Sequence, residues 1–423
     1  MAQKKKNTTN KTTKKVVKSA KKMAKKNPGG FVALIIILIV IAALVVGGIY
    51  LWNNVIAPKM EHDNAQNVNS ESQSSLPISS SSEPISASSS VPASSSSAAP
   101  FTGEVAPLDI NFLELGNKYT GDSTFIKAGD VDILIDAGSR KNSATTISTF
   151  IDTYCTDGVL EYVIATHAHQ DHIAGFVGSN SDQGILKKYR IETLIDFSLT
   201  NATSAIYNDY ISLRDEKVAS GDIKHHYTAN DCIQGNNGAQ KIYNIANGIT
   251  MEILDQKFYR EKTSDENDYS VCTLFTQGNQ HYLFTGDLEK DGEASLVASN
   301  NLPEVELFKG GHHGSYTANT DALLSVIKPK NVCICCCAGS DEYTSNPENM
   351  FPAQAAINRI AKYTDKVYAT TVVADDSKGY KSLNGNINFH STDGKNYLVT
   401  GSNNSVILKD SDWFKNNRTW PIY

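Results

Sequence analysis

The sequence predicts an α/β fold in which two β-sheets pack face to face with helices on their outer sides. A basic tail, a membrane span and a linker are expected to precede it. Three observations predict this. From Leu108 onward, short apolar runs of strand length alternate with longer helical stretches in both halves. Several of those runs end in aspartate or histidine, as expected where strand ends meet along one sheet edge. Before Leu108 the composition is lysine-rich, then charge-free, then serine-rich, and only the middle part has apolar surface to bury.

Residues 1–30 hold eleven lysines and no acid, a charge of +11 that reads as a basic cytoplasmic tail. Residues 31–52, Phe31 to Trp52, contain no charge. About 20 apolar residues span a bilayer, whereas a secretory signal has an apolar region of roughly 7–15 and a small-x-small cleavage site. This run is longer and lacks a clear site, so it reads as an uncleaved anchor in membrane lipid. Tyr50 and Trp52 suit the outer interface, and the lysines suit the cytoplasmic side. The rest of the chain is then expected outside the cell. Residues 53–107 are dominated by serine, with Pro77, Pro84, Pro92, Pro100 and Pro107, and read as a linker.

The whole chain carries −6, so −17 remains once the +11 head is set aside. Such an acidic remainder argues against broad electrostatic binding of nucleic acid. The seven cysteines include Cys333 and Cys336 at Cys-x-x-Cys spacing, but no second pair exists. Val332 to Ala338 is charge-free, so its cysteines are expected to pack as small hydrophobes in a central strand.

Strands are expected at Leu108–Leu115, Ser123–Ala128 and Val131–Asp136, with Gly129-Asp130 turning between the last two. A helix follows at Ser143–Tyr154, capped by Ser143. A strand at Leu160–Thr166, another within Ile185–Phe197 and a helix at Ser204–Ser220 complete the first half. The second half reads as strands at Thr250–Leu254, Ser270–Thr276, His281–Thr285, Glu304–Phe308, Asn331–Ala338 and Lys366–Thr371. Helices are expected at Lys290–Ser299, Ala322–Ile327 and Ala353–Tyr363. The folded domain is expected over residues 108–400, with 401–423 as a C-terminal extension.

The strand at Leu160 runs into Thr166-His167-Ala168-His169-Gln170-Asp171-His172. Imidazole and carboxylate are ligands for zinc and similar divalent ions. On an extended segment His167 and His169 project to the same side and can hold one ion. Asp171 and His172 then turn away and can hold a second. Two later strands end in further ligand types, Thr285-Gly286-Asp287 and Gly310-Gly311-His312-His313-Gly314-Ser315.

His-x-His-x-Asp-His, then Thr-Gly-Asp, then His-His-Gly-Ser resembles the metallo-β-lactamase-fold hydrolases. Within them it resembles the extracellular hydrolase domain of the competence protein ComEC. Phe112-Leu113-Glu114-Leu115-Gly116, Gly121-Asp122-Ser123 and Leu134-Ile135-Asp136-Ala137-Gly138 extend the likeness, which runs from about Leu108 to Val399. The resemblance implies a four-layer αββα sandwich, a pair of divalent ions (zinc or manganese) and hydrolysis by an activated water. It implies His167, His169, Asp171, His172, Asp287 and one of His312 and His313 as metal ligands, with Asp287 bridging. Asp171 doubles as proton acceptor. The sequence does not assign the two histidines; His312 is the favoured ligand, which leaves His313 to donate to a substrate oxygen. Asp136 is implied to orient the metal loop.

The chain departs from the family pattern in two places. No Gly-His-Thr-Pro-Gly segment supplies a further histidine, and the weakly patterned His225 and His226 are poor substitutes. Glu266-Asn267-Asp268-Tyr269-Ser270 occupies the subgroup's Asn-x-x-Ser place, so Asn267 or Asp268 is expected near the first ion. Phe351 stands where the subgroup carries a histidine before a late helix. Ser315 suits either a phosphate contact or a turn. The expected substrate is a phosphodiester, DNA or a cell-wall polymer, and no obligate protein partner is evident. The alternatives are hydrolysis of another ester or amide, as by a true β-lactamase, and a non-catalytic competence-accessory or wall-binding role.

Overall fold

The computed structural model describes residues 103–375 and 378–423. The expected tail, span and most of the linker lie outside the described residues. Among the described residues no helix is long and apolar enough to cross a membrane.

The strands are β1 (Leu108–Phe112), β2 (Thr124–Ala128), β3 (Val131–Ile135), β4 (Val159–Ala165), β5 (Arg190–Asp196), β6 (Ile223–Thr228), β7 (Ile242–Ala246) and β8 (Ile249–Leu254). They continue as β9 (Cys272–Gln277), β10 (Gln280–Phe284), β11 (Leu307–Lys309), β12 (Val332–Ala338), β13 (Val367–Val373), β14 (Tyr380–Ser382), β15 (Ile387–Ser391) and β16 (Leu398–Gly401). The helices are α1 (Ser143–Ile151), α2 (Gln170–Val177), α3 (Ile185–Lys188), α4 (Ala205–Ser220), α5 (Ala229–Gln234), α6 (Lys290–Ser299), α7 (Asp321–Ile327), α8 (Gln354–Ile360) and α9 (Asp412–Asn417). They build two eight-stranded sheets, ordered β16-β15-β1-β2-β3-β4-β5-β6 and β14-β13-β12-β11-β10-β9-β8-β7.

Each sheet changes from antiparallel to parallel pairing partway across. β3 to β6 run parallel in the first, and β10 to β13 in the second. Parallel strands need crossovers, which is where the helices fall. Ala128 pairs with Val131, so Gly129-Asp130 is the two-residue turn the sequence predicts, with Gly129 at φ +59°.

Phe284 lies 6.1 Å from Phe112 and 5.7 Å from Phe275, and Tyr282 lies 5.3 Å from Phe389, so aromatic rings join the two sheets. Burying each such ring stabilises the fold by about 1.5–3 kcal/mol. β12 alternates as a strand must: Cys333 and Cys335 join the core that includes both sheets. Val332, Ile334, Cys336 and Ala338 join a second core with Leu324, Ile357 and Phe414. All seven cysteines are buried thiols, in keeping with the packing role expected of them.

Several elements differ from expectation. The first helix ends at Ile151, and Asn142 rather than Ser143 holds its cap position. Ser143 is buried, and its Oγ accepts from Asn117 and the Arg140 amide at 3.0 and 3.3 Å. β6, β7, β14 to β16, α2, α3, α5 and α9 lie outside the sequence expectation, and Gln170 to His172 of the metal motif open α2 rather than continuing as loop. Residues beyond Gly401 pack back on the fold, with Leu408 and Phe414 buried in the second core.

Candidate metal centre

The first and second sheets bring together the C-terminal ends of β3, β4, β10 and β11. Asp136, just past β3, has φ +59°, which turns its carboxylate back toward the end of β4. It accepts from the Thr166 amide (2.8 Å), the Thr166 hydroxyl (2.7 Å) and His172 Nδ1 (2.7 Å). Gly175 lets α2 sit against this turn, because a Cβ there would lie 2.1 Å from the Ala137 carbonyl oxygen. The expected orienting role of Asp136 thus has its geometry.

With Nδ1 so engaged, His172 presents Nε2 to Asp287 Oδ2 at 3.0 Å. His313 Nδ1 donates to the Cys335 carbonyl at 2.8 Å. Its Nε2 then faces Asp287 Oδ2 at 3.1 Å and Asp171 Oδ2 at 3.3 Å. His313 Nε2 is buried without a hydrogen-bond partner. Two imidazole nitrogens and two carboxylate oxygens therefore converge, each imidazole oriented through its far nitrogen. An orphaned buried nitrogen in an N/O donor set is what a zinc or manganese site requires, so the residues fit a divalent ion.

His313, not His312, occupies this inward position. His312 and His313 both adopt left-handed backbone, φ +45° and +53°, and that double turn decides which imidazole points inward. His312 Nδ1 lies 2.8 Å from Glu289 Oε1, and its Nε2 lies 3.9 Å from Asp287 Oδ2 at the edge of the cleft. Of the two histidines the sequence leaves open, His313 rather than the favoured His312 thus faces the cluster, and His312 stands at the cleft edge.

His167 Nε2 and His169 Nδ1 face each other at 3.0 Å, beside the first group. The His172 ring, from the first group, lies 4.1 Å from that of His167, and among the described residues neither His225 nor His226 joins the pair. His226 is bound to Asp196 (2.9 Å) and His225 stacks on Tyr227, both on β6. Asn267 borders the same cleft, and its buried Oδ1 has no hydrogen-bond partner. Asp268 points elsewhere, accepting from the Glu289 and Gly292 amides at the start of α6. Burial and the nearby Asp265 carboxylate push its carboxyl up to about 6. Ser315 Oγ pairs with Thr317 Oγ1 at 2.7 Å and accepts the Thr317 amide, the turn arrangement. Phe351 packs 5.6 Å from both His312 and His313.

Two features lay outside the sequence reading. Glu266 accepts from the Ala168 amide (3.3 Å), the Thr200 hydroxyl (2.8 Å) and the Asn201 amide (2.6 Å), tying the metal loop to the loop after β5. Beneath the cluster, Lys309 is 3 % exposed. Its ammonium pairs with Asp122, donates to the Gly286 carbonyl at 2.9 Å and lies 3.3 Å from Asp287 Oδ1. Asp122, His172, Asp287 and His313 place ligand atoms within 4.8 Å of one another. Asp122, however, approaches the Nδ1 sides of His313 and His172, at 3.4 and 3.8 Å. It is thus a counter-charge behind the imidazoles and the partner of Lys309.

The electrostatics follow. Burial alone would lower His172 and His313, but Asp287 together with Asp136 and Asp122 raises both well above the usual imidazole range. His167 is held well below it by burial and by the neighbouring His172 and His169. Burial opposes ionisation of Asp287, yet His172, His313 and Lys309 hold its carboxyl far below the usual range. A cleft of about 640 Å³ opens over the cluster, bordered by Arg140, His169, Asp171, Asn267, His312 and Tyr343.

Residues 116–179 match the metallo-beta-lactamase superfamily. ComE operon protein 3 of Bacillus subtilis is 25% identical over 183 residues, 41% of this chain and 20% of that protein. Recombination protein 2 of Haemophilus influenzae is 30% identical over 125 residues, 30% of this chain and 14% of that protein. Competence protein ComA of Neisseria gonorrhoeae is 30% identical across 29% of this chain and 17% of its own length. The chain thus spans a fifth or less of the curated relatives it matches. Among solved structures, the metallo-beta-lactamase fold protein YhfI of Bacillus subtilis aligns at a TM-score of 0.37 and 10% identity, covering 67% of this chain and all of that one.

Proposed function

We propose that this chain, which has the metallo-β-lactamase fold and resembles competence proteins, is a metal-dependent phosphodiesterase held at the outer cell surface. The observation that carries the reading is the convergence of Asp171, His172, Asp287 and His313, with each imidazole fixed through its Nδ1. A divalent ion bound there supplies Lewis-acid activation of water and of a phosphoryl oxygen. Asp171, on the cleft side, suits acceptance of the attacking water's proton. His312, braced by Glu289, suits donation to the departing oxygen. The substrate classes that fit are DNA and a cell-wall phosphodiester polymer.

The anchoring part of the reading rests on the charge-free run Phe31–Trp52 behind the lysine-rich head. Protease added to intact cells should release the domain, and full protection would overturn that topology. The activity is tested by incubating the purified full-length chain with manganese or zinc and single-stranded DNA, bis-p-nitrophenyl phosphate or nitrocefin. Phosphodiester turnover is expected. Nitrocefin turnover alone would make it a β-lactamase. Metal binding without turnover of any of the three would favour the non-catalytic accessory role, toward which the missing third histidine beside His167 and His169 points.

A further inference from the structure

The loop from Gly339 to Pro352 joins β12 to α8 and crosses from the second sheet to the metal loop of the first. Its ends meet where the Gly339 amide donates to the Phe351 carbonyl at 2.8 Å. Its tip is tied down by Glu342, which accepts from Arg140 Nη2 at 2.5 Å and from the Thr120 amide at 3.0 Å. Arg140 is itself stacked 3.9 Å over the Tyr119 ring. The next residue, Tyr343, donates its phenol hydrogen to Asp171 Oδ2 at 2.7 Å. That oxygen is the one 3.3 Å from the buried, unpartnered His313 Nε2.

We propose that Tyr343 is a positioning residue that fixes the Asp171 carboxylate for metal binding and proton acceptance. The inference rests on the role given to Asp171 above. Asp136 is held by three donors, and Asp122 by the Lys309 ammonium. Asp171 lies in the first turn of α2, and no hydrogen bond from its own helix sets the direction of its side chain. Tyr343 supplies that direction from the opposite sheet. A phenol is suited to the task because it is neutral. It orients the carboxylate while leaving its full negative charge for a cation, as an ammonium would not. Tyr343 is 52 % exposed and its ring lies tilted against Phe351 at 5.6 Å, so core burial does not account for its place.

The test uses the full-length chain in detergent and the variants Tyr343→Phe and Tyr343→Ala. Zinc affinity is measured against a competing chelator, the cobalt(II) absorption spectrum is recorded, and bis-p-nitrophenyl phosphate turnover and thermal unfolding are followed. Phe keeps the ring and loses only the hydroxyl. It should bind zinc roughly 10–100-fold more weakly, the loss expected for one hydrogen bond to a charged group. It should also alter the cobalt spectrum and lower kcat, with KM and unfolding temperature unchanged. A Phe variant that binds zinc like the parent overturns the proposal, and so does a parent-like Phe variant beside an impaired Ala variant, which would reduce Tyr343 to packing. If the parent turns over no phosphodiester, the proposed activity fails, and the zinc and cobalt measurements still decide the positioning role.

Discussion

Replacing Lys309 with methionine isolates the buried charge beneath the cluster. The ammonium is enclosed, paired with Asp122, 3.3 Å from Asp287 Oδ1 and bonded to the Gly286 carbonyl at 2.9 Å. Methionine keeps most of the stem volume, so no large cavity term enters. What remains is Asp122, a carboxylate 3 % exposed whose nearest cation is gone. Removing one partner of a buried pair costs about 3–5 kcal/mol, because the other charge stays desolvated. Lys309→Met should therefore lose that much stability, read by urea unfolding with chelator present so that bound metal does not mask the effect. Adding Asp122→Asn removes the stranded charge, so the double variant should lose clearly less than the two single losses added together. A Lys309→Met protein within about 1 kcal/mol of the parent, with additive singles, would show that water or proton uptake already compensates Asp122.

Asp287→Ala should lower phosphodiester turnover by more than the roughly 10²–10⁴-fold typical of one acid–base group, since Asp287 faces both His172 and His313. His225→Ala, on an outer strand, should leave turnover near the parent's, and a collapse there would place a missing ligand on β6. Asp136→Asn suits the positive φ at that position but exchanges a carboxylate for an amide beside His172 Nδ1. Zinc affinity should fall about 10–100-fold, and an unchanged affinity would deny Asp136 its orienting role. Burial raises the Glu293 carboxyl to about 7, against donors from Asn319 and Thr320 that pull it down. A raised folded pKa means stability is full below the ordinary value of 4.5 and is lost as pH rises to about 7, a change of about 3 kcal/mol. Unfolding of chelated protein across that window should show the loss, and Glu293→Gln should abolish it. Parallel curves would mean that Glu293 titrates alike in the folded and unfolded chain, with no raised pKa.

The strands most directly legible in the sequence are central ones. β4 and β12 read directly as apolar runs because parallel central strands have no solvent side. β6 was missed for the opposite reason. Its sequence Ile-Lys-His-His-Tyr-Thr borders the first sheet, with Lys224 and His225 exposed, so no apolar period marks it. β15 carries Asn388 and His390 opposite Asn111 and Asp109 of β1, a pairing made across nearly the whole domain. Local pattern holds no trace of such a partner. The segment after Gly401 reads as an appendage for the same reason, since Leu408 and Phe414 are isolated apolar residues until the fold gives them a surface.

For the site, what was legible was chemistry concentrated in short motifs, and what was not was the direction of side chains. His167 to His172, Asp287 and the double histidine announce ligand types. Which of His312 and His313 turns inward depends on two successive left-handed residues, a backbone event that sequence spacing does not encode. Lys309 ends a strand, where a lysine ordinarily reaches solvent. It is enclosed because the Gly116–Asp122 loop of the other sheet closes over it and delivers Asp122. That pairing explains how carboxylates from four separate segments, Asp122, Asp136, Asp171 and Asp287, share one buried place. Asp122 is bound to an ammonium and Asp136 to two Thr166 donors and His172 Nδ1, while Asp171, steadied by Tyr343, and Asp287, beside Lys309, face the Nε2 side of the imidazoles. The outer carboxylates are thus satisfied by the protein's own donors, and the inner pair joins the two imidazoles in a donor set that fits a divalent cation.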